Sequence, residues 1–172
     1  MDALECMLTR SSVKKYKSDP VPKELMDKII EAGLRAPSGL NKQAPIILAV
    51  TDKQVRDELS KINAGKDPFK RADPFYNAPC VLVVLADKSA FTYAYDGPLV
   101  MENMMLAAHA LGLGACWIHR AKETFEQPEG KALLQKLGIE GEYEGIGNCV
   151  IGYPDGEFAV KPRKENRIFY VK

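Results

Sequence analysis

Arg10-Ser11-Ser12-Val13-Lys14-Lys15-Tyr16 sets three cations and two serine hydroxyls within seven residues. Two distant stretches extend its chemistry. Ala36-Pro37-Ser38-Gly39-Leu40-Asn41-Lys42-Gln43 is a polar turn after an apolar helical pattern, and Lys161-Pro162-Arg163 adds a second cation pair near the far end. Together they are a toolkit for a phosphorylated ligand with a planar, polar-edged head. A phosphomonoester carries close to two negative charges and several acceptor oxygens, so it needs charge-assisted donors from more than one direction.

Each piece also has a plainer reading. Arg10, Ser12 and Lys14 alternate, so an extended segment would point them one way, yet the same residues could simply lead into a helix at residue 22. Pro37-Ser38-Gly39-Leu40-Asn41 is by composition a helix-terminating turn. Gly39 would also let backbone approach a ligand closely, and an Asn41 amide can donate and accept at once. Lys161 and Arg163 alternate in a proline-containing tail of the kind that is usually just solvated. Arg163 is the stronger binder of the two, because a planar guanidinium grips two phosphate oxygens.

Other landmarks follow in order: Ala78-Pro79 before a β-run, Gly112-Leu113-Gly114-Ala115-Cys116-Trp117, and a closing Ile151-Gly152-Tyr153-Pro154. In this order and spacing the chain resembles the FMN-dependent nitroreductases over nearly its whole length. The resemblance implies an α+β fold, a three-layer α/β/α sandwich with a mostly antiparallel central sheet. It implies that Arg10, Ser11, Ser12 and Lys14 contact the phosphate and flavin, and that Lys161 and Arg163 return to the phosphate. It places Pro37, Ser38, Gly39 and Asn41 at the cofactor, with Asn41 on the pyrimidine edge. It lays Trp117, Ile118 and His119 against the flavin, with a backbone N–H near the hydride-accepting nitrogen. Two positions depart from the family pattern. Ser11 stands where the family usually has Arg or His, and His119 where it commonly has a small residue. His119 would then narrow the pocket, tune the substrate, or be only a polar strand end.

Bulk properties agree with a single domain over residues 1–172, and the resemblance makes 154–172 a C-terminal tail contributing to the cofactor site. The chain can bury a sizeable core. Its 24 basic and 23 acidic residues leave +1, which argues against a nucleic-acid footprint. Cys6, Cys80, Cys116 and Cys149 are widely spaced, as buried reduced thiols rather than a zinc cage. With no signal-peptide core and no apolar run near the roughly 20 residues of a membrane span, the expectation is a cytoplasmic protein that does not enter a membrane.

Apolar periodicity predicts helices over 22–36, 53–63, 96–111 and 128–137, and strands over 46–50, 80–86, 115–118 and 144–153. The pattern alone would permit a doubly wound α/β fold, but Gly112-Leu113-Gly114 follows a helix and precedes a strand, the wrong order for a dinucleotide fingerprint. Helix 96–111 is apolar almost all round, so it is buried in the domain or against another subunit. His109 within it reads as a core or interface histidine. Gly65 to Asn77, with Pro68, Phe69, Phe75 and Tyr76, is the expected cover for the flavin.

No hydrolase elbow, phosphate loop or His-Glu-x-x-His is present, and there are only two histidines. A chain short of catalytic side chains suits chemistry carried by a cofactor. What the resemblance implies is a homodimer with FMN at the subunit interface, passing a hydride from NADH or NADPH to an electron-poor acceptor, a nitroaromatic or a quinone. Alternatives are dehalogenation or ene reduction on the same fold, a non-enzymatic flavin carrier, and a plain α+β domain for another phosphate ester.

Overall fold

The protein is described from a computed structural model covering residues 1–65 and 71–172. Helix α1 is Ala3–Thr9, α2 Lys23–Leu34, α3 Lys53–Ala64, α4 Tyr93–Ala110, α5 Ala121–Glu126 and α6 Pro128–Lys136. Strands β1 Pro45–Val50, β2 Cys80–Asp87, β3 Gly114–Ile118 and β4 Tyr143–Gly152 form one sheet in the order β1-β2-β4-β3, each neighbouring pair antiparallel.

Alternation along the strands makes the sandwich, because successive side chains leave opposite faces. Val81, Val83 and Leu85 of β2 join Leu59 of α3 and Phe125 of α5 on one side. Cys80, Leu82 and Val84 join Ile29 of α2 and Met101 and Met104 of α4 on the other. That two-sided burial explains why β2 reads as an unbroken apolar run. It also explains α4, whose stripe is diluted by apolar residues all round because it lies between the sheet and α2.

All four cysteines are free and buried. Burial pushes the Cys80 thiol up to about 12 and raises Cys116 and Cys149 as well, so these sulfurs act as packing rather than as nucleophiles. Among the described residues no helix is long and apolar enough to cross a membrane, and no cluster of potential metal ligands occurs.

The expected elements all form, displaced by up to three residues at their ends. Pro22, expected inside α2, sits just before it, its carbonyl accepting from the Leu25 and Met26 amides. Helices α1 and α5 are additions.

The flavin-cover expectation needs correction at Phe75. Its ring is fully buried in the core on the α3 side of the sheet, with the Arg56 guanidinium 5.5 Å from its centroid. Tyr76 packs against the same core. Pro68 and Phe69 lie outside the described residues.

Candidate functional site

Residues 10–17 cross the end of the sheet where β3 begins and β4 ends. The Val13 amide donates to the Ala115 carbonyl at 3.0 Å, and the Lys17 amide to the Tyr153 carbonyl at 2.9 Å. Val13 and Tyr16 turn into the core, where the Tyr16 hydroxyl donates to the Val13 carbonyl at 2.7 Å. Ser12 and Lys14, alternating with Val13, are left outward.

The tail meets them there. Beyond a single bridge at Pro154 it has no regular structure, yet it is tied back at several points. The Asp155 amide donates to the Lys15 carbonyl, Lys15 Nζ lies 2.7 Å from the Asp155 carboxylate, and Phe158 packs on the core. Ser11 completes the attachment by donating from Oγ to the Phe158 carbonyl at 2.8 Å. The result is a cleft of about 540 Å³ lined by Arg10, Ser11, Ser12 and Lys14 from one end of the chain and by Lys161 and Arg163 from the other, with residues 157–160 between.

Four cations face one carboxylate, Glu157, in that lining. Arg10 is steadied by α4, its Nε 3.4 Å from Glu102 Oε1. Cys116 registers the field. Burial raises its thiol pKa, while a hydrogen bond with Ser12 and the charges of Lys14, Arg10 and Arg71 pull the other way. Arg71 was invisible to sequence reasoning. Its Nη1 donates to the Tyr76 hydroxyl at 2.8 Å, and its guanidinium lies 5.7 Å from that ring's centroid. Converging charge-assisted donors in a hollow of this size suit a dianionic phosphate ester.

The 37–43 turn lies elsewhere. Pro37 and Ser38 border a separate hollow of about 200 Å³ with Gln43 and Val100. The Gly39 amide donates to Asp96 Oδ1 at 3.1 Å, and a Cβ on Gly39 would collide with Thr92 Oγ1. Within the chain, Gly39 makes a close approach to the start of α4. Leu40, Asn41 and Gln43 all take positive φ (51°, 53° and 49°), and Leu40 is 79% exposed. Left-handed backbone at a leucine is strain that the fold must hold. Asn41 Oδ1 accepts from Gln43 Nε2 at 3.1 Å.

At the end of β3 the three expected residues part company. Trp117 is half-buried against the α4 side. Ile118 is only 5% exposed and its side chain belongs to the opposite core, leaving its backbone alone for a ligand. His119 is exposed, and its carbonyl accepts from Asn63 Nδ2 at 2.8 Å.

The nitroreductase family model matches residues 7–153. The chain belongs to the nitroreductase family. Among family relatives, a Methanothermobacter thermautotrophicus protein named for NADH dehydrogenase and NAD(P)H nitroreductase activity is 31% identical over 121 residues, 68% of this chain and 60% of its own. An Archaeoglobus fulgidus protein of the same name is 29% identical, covering 91% of this chain and 87% of its own. A Bacteroides fragilis nitroreductase with bound FMN is 26% identical, covers both chains fully and superposes with a TM-score of 0.87. The antiparallel three-layer sandwich is thus the nitroreductase fold.

Proposed function

We propose that this chain is an FMN-dependent oxidoreductase that takes a hydride from NADH or NADPH and delivers it to a small electron-poor acceptor, a nitroaromatic or a quinone. One observation carries the reading: Arg10, Ser12 and Lys14 share a single cleft with Lys161 and Arg163, although the two groups lie near opposite ends of the chain. The residues fit the cofactor. Arg10, Ser12, Lys161 and Arg163 would hold the phosphate, with Ser11 fastening the tail that brings the last two. Lys14 would set positive charge beside the ring's polar side, where charge builds on reduction. When bound, FMN supplies the two-electron relay itself. No second nucleotide motif is present, so donor and acceptor would occupy one site in turn, giving ping-pong kinetics.

The site as we propose it, one FMN-binding domain over residues 1–172 with its tail, is completed by a second copy. Asp96, which holds Gly39, and Glu102, which meets Arg10, are six positions apart on α4, about one and two-thirds turns. Within one chain the Asn41 turn and the Arg10 cleft therefore sit on different sides of that helix. A two-fold dimer would offer each cleft the partner's turn, with Asn41 on the flavin's pyrimidine edge and the backbone of Trp117, Ile118 and His119 along the ring. Exposed Met7, Leu8, Leu40, Phe91 and Tyr95 supply apolar surface for that contact. Four buried free thiols support a reducing compartment, the cytoplasm.

Flavin-fluorescence titration tests the phosphate claim. FMN should bind about a hundredfold more tightly than riboflavin, the worth of about 2.7 kcal/mol in charge-assisted contacts. Equal affinities would contradict it.

A further inference from the structure

We propose that Asn63, a residue outside every expected site, is the positioning residue for the β3–α5 turn, and through it for the reaction centre. The inference rests on the proposed placement of His119 and its neighbours beside the flavin ring.

The turn is unusual backbone. Arg120, which opens α5, has φ 71° and ψ 24°, left-handed geometry at a residue with a long side chain. No side chain of its own caps the helix that follows. Such a conformation persists only when its surroundings impose it. Asn63 supplies the constraint from α3, an element remote in sequence. Its amide is 2% exposed and grips both sides of the strained residue: Nδ2 donates to the His119 carbonyl at 2.8 Å, and Oδ1 accepts from Arg120 Nη2 at 3.1 Å. Thr124, equally buried, closes the far side by donating from Oγ1 to the Arg120 carbonyl at 2.8 Å. Ala121 between them is fully buried. His119, just before the strained residue, faces outward.

An asparagine is needed because the two contacts have opposite polarity. A carbonyl must be met by a donor and a guanidinium by an acceptor, and the carboxamide offers one of each at fixed spacing. The consequence is a turn held from its inner side, with His119 left free to meet a ligand. Reaction rates respond steeply to placement of that kind, whereas ground-state affinity anchored at a distant phosphate does not.

Asn63→Asp tests this without changing the side chain's shape. It keeps the oxygen for Arg120 and sets an acceptor against the His119 carbonyl. Asn63→Ala removes both contacts. Each variant is loaded with FMN and compared with the wild type by FMN Kd, by the anaerobic bleaching rate with NADH, and by amide hydrogen exchange at residues 119–122 of the flavin-free protein. We expect FMN Kd to stay within about twofold while bleaching slows about tenfold or more, since misplacement taxes the reaction rather than binding. Exchange in the turn should accelerate in both variants. Bleaching at the wild-type rate in Asn63→Asp would overturn the proposal, as would loss of affinity in step with rate, the mark of general loosening. Wild-type protein that binds no FMN would overturn the functional reading and this proposal with it. Normal exchange in the turn of Asn63→Ala would overturn the clamp alone.

Discussion

In the proposed site, Ser11 and Arg163 would act on the same phosphate from different distances. Arg163 stands in the cleft, whereas Ser11 reaches the tail through the Phe158 carbonyl. Arg163→Ala removes a bidentate partner and should weaken FMN binding about 10- to 100-fold, equivalent to about 1.4–2.7 kcal/mol, while leaving riboflavin binding nearly unchanged. Ser11→Ala removes one neutral hydrogen bond and should cost FMN affinity about fivefold, on the order of 1 kcal/mol. Parallel titrations of both flavins separate these effects. A variant that lost FMN and riboflavin equally would place its residue away from the phosphate.

Asp73 illustrates a residue whose work is architectural. Burial alone would raise its pKa, but bonds from Arg56, Ser60 and the Asn77 and Phe75 amides outweigh it and hold the carboxyl below its ordinary range. Its oxygens lie 2.5 Å from both Arg56 Nη2 and Ser60 Oγ. A depressed folded-state pKa means stability that is present above the unfolded value near 3.9 and lost as pH falls through the folded one. Asp73→Asn should therefore unfold about 2–3 kcal/mol more easily at pH 7, by urea melts, with the gap narrowing below about pH 4. A gap unchanged by acid would assign the loss to packing instead.

Among the elements, β3 and β4 meet through a glycine. A Cβ on Gly147 would lie 2.7 Å from the Trp117 indole and 3.0 Å from Met101 Cε. Gly147→Ala should displace the indole and cost about 1–3 kcal/mol by overpacking. Trp117 is the sole tryptophan, so intrinsic fluorescence reports the shift directly, and an unaltered spectrum would contradict the packing described.

The same scale shows what the sequence could reveal. Strand β2 and helices α2 and α4 were legible because their burial writes a long apolar pattern. Helix α1 left one readable sign, Asp2 three residues before Glu5; the Asp2 side chain accepts from the Glu5 amide at 2.8 Å. Seven residues are too few for periodicity to register. Helix α5 left none, because its start is made by a left-handed Arg120 clamped from α3. The phosphate-type cations were readable as residue types at familiar spacings. Asn63 and Arg71 were not, because their contacts depend on three-dimensional neighbours that no local pattern encodes.

At the scale of the whole molecule, one chain leaves too much apolar surface bare. Ile168, Phe169, Tyr170 and Val171 are 71–100% exposed, and Met1, Leu4, Met7 and Leu8 of the α1 region are more than half exposed. Sedimentation should give twice the mass of a single chain. Replacing Met7 and Leu8 with Glu should shift the equilibrium toward monomer and lower FMN affinity with it, since the site would lose the partner's turn. Monomer with undiminished flavin binding would contradict the shared site.

The central claim is that this family member is a flavin oxidoreductase reduced by a pyridine nucleotide. Its most direct test is the visible spectrum of the purified protein with added FMN, recorded before and after anaerobic NADH and then NADPH. Bound-flavin absorbance that bleaches with at least one nucleotide is the predicted result. Absorbance that binds and never bleaches, or no binding at all, would contradict it.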